Sequence, residues 1–229
     1  FRKRFYLFDV LVISDKLSYI DYLEWRFRNL NEGLSFLLAI LSLAVAFIGP
    51  RYFHLGGSAI ITGVVIPIIA ASTAIVPHEI AHRQTARNYG CGSRFILSFK
   101  GFIVTLLINL LSGITGFGFL VFISGYTGIF CRFGLMSKDV EGRTAFAGPA
   151  TNLAIAILSL LLLYTLPGAN IYIAYLLFEL FEFNSYVAFF NLIPIPPLDG
   201  QKVLKWNKVV WVIALLFALI LAFLPIYII

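Results

Sequence analysis

Residues 58–82 read Ser-Ala-Ile-Ile-Thr-Gly-Val-Val-Ile-Pro-Ile-Ile-Ala-Ala-Ser-Thr-Ala-Ile-Val-Pro-His-Glu-Ile-Ala-His, an apolar run that closes on two histidines and a glutamate. Up to Pro77 the run has the length that crosses the hydrocarbon core of a bilayer, about 20 residues. His78 and His82 are four apart, so a helix brings both imidazoles to one face, a turn apart. Two neutral ring nitrogens so arranged can bind one zinc ion, and Glu79, offset around the helix, can hold a water beside the metal. Without a metal such groups are costly beside lipid, roughly 3 kcal/mol for each central charge. Zinc binding, at about 10 kcal/mol or more in small structural sites, outweighs that cost.

Composition fixes the solvent. Of 229 residues, 60% are hydrophobic and 12% charged, and the mean hydropathy is +0.94, too little polar surface to cover a water-soluble globule. The net charge of +6 does not indicate nucleic acid, because the basic residues are dispersed between apolar runs, as membrane topology requires. Residues 1–12 are basic and then apolar, but Asp9 interrupts them and no small-residue cleavage site follows, so they do not read as a signal peptide. Cys91 and Cys131 lie far apart and lack the short paired spacing of a zinc ribbon; they are expected to be ordinary thiols on a reducing side.

Apolar runs occupy residues 34–49, 58–77, 101–130, 145–166, 171–193 and 209–229, and length favours a helix for five of them. The expected fold is an all-α polytopic membrane protein. It is a bundle of five transmembrane helices, or six with a further span, with a re-entrant or β-hairpin element between the second and third. The chain divides into a cytoplasmic or interfacial segment at 1–33, a first span and outer turn at 34–57, a catalytic membrane core at 58–205 and a C-terminal span at 206–229. Arg2, Lys3, Arg4, Lys16, Arg26 and Arg28 precede the first span, and Arg83, Arg87, Arg94 and Lys100 follow the second. Lys202, Lys205 and Lys208 follow the fourth, whereas residues 167–170 carry no charge. With positive charge inside, the N-terminus and the His-Glu-Ile-Ala-His motif face the cytoplasm, in what is expected to be a prokaryotic plasma membrane.

Residues 101–130 are the exception. A single crossing there would put Arg132, Lys138 and Arg143 outside, and glycines at 101, 113, 116, 118, 125 and 128 weaken a helix. The stretch is expected to be re-entrant or a hairpin with strand character, which is tolerated at membrane depth only against protein or a wet cavity. Residues 15–30, with Leu17, Ile20, Leu23, Phe27 and Leu30 at helical spacing, read as an interfacial amphipathic helix or a short linker helix.

Zinc of this kind takes a third protein ligand and keeps one position open. His54 falls on the outer turn, a whole span away. Glu179 and Glu182 share a face of the fourth span but fall near mid-membrane, roughly 15 Å from the level of the histidines, where a polar interior contact is the better expectation. Asp199 is at the right level. It follows Asn191-Leu192-Ile193-Pro194-Ile195-Pro196-Pro197-Leu198, whose prolines stop a helix, and precedes Gly200, which permits a turn. Extended chain with free carbonyls there fits a polar, protein-lined cavity. Spacing alone leaves that reading level with a surface Asp-Gly turn on a proline-rich exit loop.

The motif at 78–82, the run Gly148-Pro149-Ala150-Thr151-Asn152 and residues 191–200, in that order, resemble the site-2 protease family of intramembrane zinc metalloproteases. The resemblance covers residues 58 to about 205. It implies one zinc ion per chain held by His78, His82 and Asp199, with Glu79 as catalytic base and Asn191 near the substrate carbonyl. Asn152, Pro194 and Gly200 would support the site. It also implies an endopeptidase that cuts transmembrane segments, with membrane-associated strands between the first two core spans. The implied partners are a transmembrane protein substrate and the lipid bilayer, with no nucleic acid. No inserted PDZ-like domain is visible, and the chain ends in or just after the fifth span, where some members have a sixth. Two other readings stay open: a membrane zinc peptidase with Glu179 or Glu182 as third ligand, and a zinc-binding scaffold or transporter. A transporter is expected to show internal repeats, and none is seen.

Overall fold

The computed structural model describes residues 18–47, 58–116, 120–131, 137–166 and 168–224. Arg2, Lys3, Arg4, Lys16, His54, Gly118, Arg132 and the far ends of the first and last apolar runs lie outside the described residues. Helices dominate: α1 Tyr19–Arg28, α2 Glu32–Ala44 continued by a 3-10 turn Val45–Phe47, and α3 Ile66–Asn88, entered through a π turn Ile61–Val65. They continue as α4 Phe99–Thr115, α5 Lys138–Thr165, α6 Ile171–Leu192, α7 Asp199–Trp206 and α8 Lys208–Ala222. Two strands, β1 Cys91–Leu97 and β2 Gly125–Cys131, pair antiparallel. Local chemistry sets the helix starts. The side chains of Ser18, Asn31, Ser98, Ser137, Asn170 and Asn207 accept backbone N–H groups from the first turns of α1, α2, α4, α5, α6 and α8.

Ile61–Asn88, Lys138–Thr165 and Ile171–Asn191 are long and apolar enough to cross a membrane. The pair Tyr19–Arg28 and Glu32–Phe47, bent by 113°, adds a fourth if it is one span; α4 and α8 are apolar but shorter. The five spans expected from the sequence therefore stand at three or four among the described residues. Side-chain contacts give the directions. Asn152 donates to the Ala74 carbonyl while His82 donates to the Thr144 carbonyl, so α5 runs antiparallel to α3. Ser58 meets Tyr172 and Thr73 meets Asn184, so α6 runs parallel to α3. The end of α3 and the start of α5 thus share one end of the bundle, and residues 89–137 leave from it and return to it. Ala70, Ala71 and Ala74 of α3 are fully buried with Leu43, Phe47, Phe183 and Val187. Small side chains of this kind let membrane helices approach closely.

Within residues 101–130 the structure departs from expectation. Most of the first half is the regular helix α4, and strand character is confined to β2, whose partner β1 lies upstream. The glycines do not break α4 because they serve close packing: a Cβ on Gly101 would lie 1.9 Å from the Ile123 carbonyl oxygen, and one on Gly113 would lie 2.8 Å from that of Ala46. α4 packs on both α1 and α2, with Phe102 against Phe27 of α1 and Asn109 donating to the Ser42 carbonyl of α2. The chain then returns along α4 in extended form. Asn109 both donates to the Val121 carbonyl and accepts from its N–H, each at 2.9 Å, and the Ile123 N–H donates to Thr105 Oγ1 at 3.0 Å. Irregular backbone is satisfied here by protein groups.

Two further expectations are corrected. Cys91 and Cys131 are a disulfide, not free thiols, because the β1–β2 register sets these residues, 40 apart in sequence, directly opposite each other. Asp199 opens helix α7 instead of lying on extended chain, and Gly200 is helical. Gly200 is required for space: a Cβ there would lie 2.1 Å from the Leu192 carbonyl oxygen. Helix α7 docks on α5 where Trp206 covers Gly142 and donates its indole N–H to Asp139 at 2.8 Å. Trp211 of α8 donates to the Leu192 carbonyl at the end of α6, also at 2.8 Å.

Candidate metal centre

His78, His82 and Asp199 each offer one ligand atom, and these atoms all lie within 4.8 Å of one another. The two Nε2 atoms are 2.9 Å apart, and Asp199 Oδ2 lies 3.3 Å from that of His78 and 3.0 Å from that of His82. What stands behind the rings fixes their protons. His82 Nδ1 sits 2.7 Å from the Thr144 carbonyl oxygen, which can only accept, so Nδ1 carries the hydrogen. Asn152 spends its amide N–H groups on the Ala74 carbonyl and Asn184 Oδ1, both at 2.8 Å, which turns its oxygen towards His78 Nδ1 at 2.5 Å. That nitrogen is therefore also the donor.

In their neutral forms both Nε2 atoms then present bare lone pairs to each other and to a carboxylate oxygen. Three lone pairs at this range repel unless a proton or a metal ion lies between them. Two ligand atoms held tetrahedrally by one zinc stand about 3.3 Å apart, close to the separations seen. Two imidazoles and one carboxylate are also a donor set that zinc favours over calcium or magnesium. The residues fit the ion.

Helix geometry builds the surroundings. Pro77 lies inside α3, and the Ala74 carbonyl in the turn before it accepts from Asn152. Pro149 lies inside α5, and the Thr144 carbonyl five residues before it faces His82. Gly148 backs the centre: a Cβ there would lie 2.5 Å from each Nε2 atom. Glu79 is buried, accepts a hydrogen bond from the Thr127 hydroxyl of β2, and lines one cavity with His78, His82, Asn191 and Asp199. A neighbouring cavity of about 210 Å³ is lined by His82, Thr127, Ile129, Glu141, Ala145, Asp199 and Lys202.

Of the residues singled out from sequence, His78, Glu79, His82, Asn152, Asn191 and Asp199 converge at this end of the bundle. Asn191 donates to the Val187 carbonyl at 3.0 Å while lining the cavity. Pro194 is exposed on the turn between α6 and α7. Glu179 and Glu182 stay outside the ligand group, Glu179 being about 18 Å along α6 from Asn191 at 1.5 Å per residue. Sequence reasoning missed Thr144, Thr127, Asn184 and Lys202, none of which belongs to a motif. It quoted Gly148 without seeing that its missing side chain makes room for the rings.

A protein of Methanocaldococcus jannaschii named "Putative zinc metalloprotease" is 35% identical over 191 residues, which cover 82% of this chain and 91% of that protein. No family model matches the chain, and no solved structure matches it. On that identity, and with a ligand group suited to zinc, the chain belongs to the same family as the Methanocaldococcus protein, a family of zinc metalloproteases.

Proposed function

We propose that this protein is an intramembrane zinc endopeptidase of the site-2 protease type, hydrolysing peptide bonds in or near the transmembrane segments of membrane-anchored proteins. The position of the His78–His82–Asp199 group carries the reading. Ile61–Asn88, at 28 residues, is about 42 Å long, and His78 lies about 26 Å from its start. In a hydrocarbon core of about 30 Å, the group then sits just inside one face. Arg83, Arg87, Lys202 and Lys205 gather at that end, which makes it the cytoplasmic face of a prokaryotic plasma membrane in this reading.

His78, His82 and Asp199 would hold the zinc ion, which when bound would supply Lewis acidity for the scissile carbonyl and for a water. Glu79 accepts a proton from the attacking water and returns it to the leaving amine. Asn152 and the Thr144 carbonyl, by binding the Nδ1 hydrogens, keep both Nε2 lone pairs turned to the site. Asn191, on the cavity wall, binds the substrate carbonyl. A transmembrane helix hides its amides in internal hydrogen bonds, so it must unwind before attack. The edge of β2 away from β1 has no strand partner among the described residues, and an unwound segment can pair there. In this reading α4 and the returning chain form the re-entrant element that carries β2 to the site.

Reconstituted protein and a tagged single-span substrate test the proposal. Glu79→Gln is expected to keep its zinc and to lose cleavage by about 10³-fold or more. Undiminished cleavage by that variant would refute the assigned base.

A further inference from the structure

We infer that Thr127 is a positioning residue for the catalytic base: its hydroxyl holds one carboxylate oxygen of Glu79 and leaves the other for the attacking water. The inference rests on the reading of Glu79 as base. Thr127 Oγ1 donates to Glu79 Oε2, and an ionised carboxylate can only accept. Glu79 is 4% exposed, and a carboxylate so buried requires a donor. It also directly follows the metal ligand His78.

Strand β2 gives the hydroxyl a fixed address. Side chains alternate along a strand, so Gly125, Thr127, Ile129 and Cys131 share one face. Gly125, Tyr126 and Thr127 line the cavity that holds Glu79, and Thr127 and Ile129, on one face, line the one beside Asp199. Both ends of the strand are tied down. Cys131 is bonded to Cys91, and the Ser98 N–H donates to the Ser124 carbonyl at 2.9 Å. Between them Gly125 and Gly128 press on β1, where a Cβ would come within 2.5 Å of Phe95 and 2.6 Å of Ile96. The strand with an open edge for an extended peptide is therefore the one that sets the base, so peptide and base share one rigid frame.

The test compares Thr127→Val, Thr127→Ser and Glu79→Gln in the full chain, zinc-loaded in lipid vesicles, on a tagged single-span substrate. Thr127→Val is expected to lower kcat about 10- to 100-fold, the loss of one charge-assisted hydrogen bond. Zinc content, KM and substrate binding by the zinc-free protein should stay within about twofold of wild type. Thr127→Ser, which keeps the hydroxyl, should restore kcat to within about threefold. Wild-type kcat in Thr127→Val beside an inactive Glu79→Gln overturns the inference and leaves the base assignment intact. Turnover by Glu79→Gln overturns the assignment beneath it. A defect carried by KM or zinc content, or one that serine does not restore, makes Thr127 a substrate or packing residue and also overturns the inference.

Discussion

Two regions of the bundle bury ionisable side chains, and they treat them differently. At the end of α3 each ring nitrogen of His78 and His82 has a defined role, Nδ1 bound by Asn152 or the Thr144 carbonyl and Nε2 turned to a shared point with Asp199. Halfway along α6, Glu179 is fully buried, neither of its carboxyl oxygens makes a regular hydrogen bond, and Tyr175 and Glu182 lie beside it. Burial of a polar group in an apolar bundle does not by itself make a metal centre. Convergence does: lone pairs aimed at one point and held there from behind, with an empty backbone position at Gly148 to admit the rings.

That contrast breaks most easily at Gly148. Gly148→Ala is expected to remove nearly all bound zinc while leaving helix content by circular dichroism unchanged, because its Cβ would enter the space between the two Nε2 atoms. A fully zinc-loaded Gly148→Ala protein would mean that α5 does not back the centre. Asn152→Ala should act less strongly. It frees the His78 ring to rotate and change tautomer, and zinc affinity measured by chelator competition should fall about 10- to 100-fold. Unchanged affinity there would erase the difference in support that separates the two regions.

The same contrast explains what the sequence could disclose. His78, Glu79 and His82 were legible because helix periodicity alone sets them on one turn. Glu179 and Glu182 could be placed near mid-membrane, away from the level of the histidines, because a helix has a fixed rise and depth can be counted along it, yet as third ligand they stayed open beside Asp199. Asp199 needed more, since its reach depends on how α7 docks against Gly142 and Leu192, contacts no spacing reveals. The disulfide was missed because a strand register, not a sequence interval, makes Cys91 and Cys131 neighbours. The density of glycines from 101 to 128 predicts a weakened helix. In a tightly packed apolar bundle Gly101 and Gly113 are points of backbone contact, and α4 runs straight through both. Thr127 carried no signal at all, because its partner Glu79 lies on a different element.

The central claim is that His78, His82 and Asp199, and not the carboxyls of α6, hold the ion. Zinc per chain in purified Asp199→Ala and Glu179→Gln tests it most directly. The account predicts that Glu179→Gln retains one zinc ion and that Asp199→Ala loses most of its metal. Full zinc in Asp199→Ala together with its loss from Glu179→Gln would contradict it.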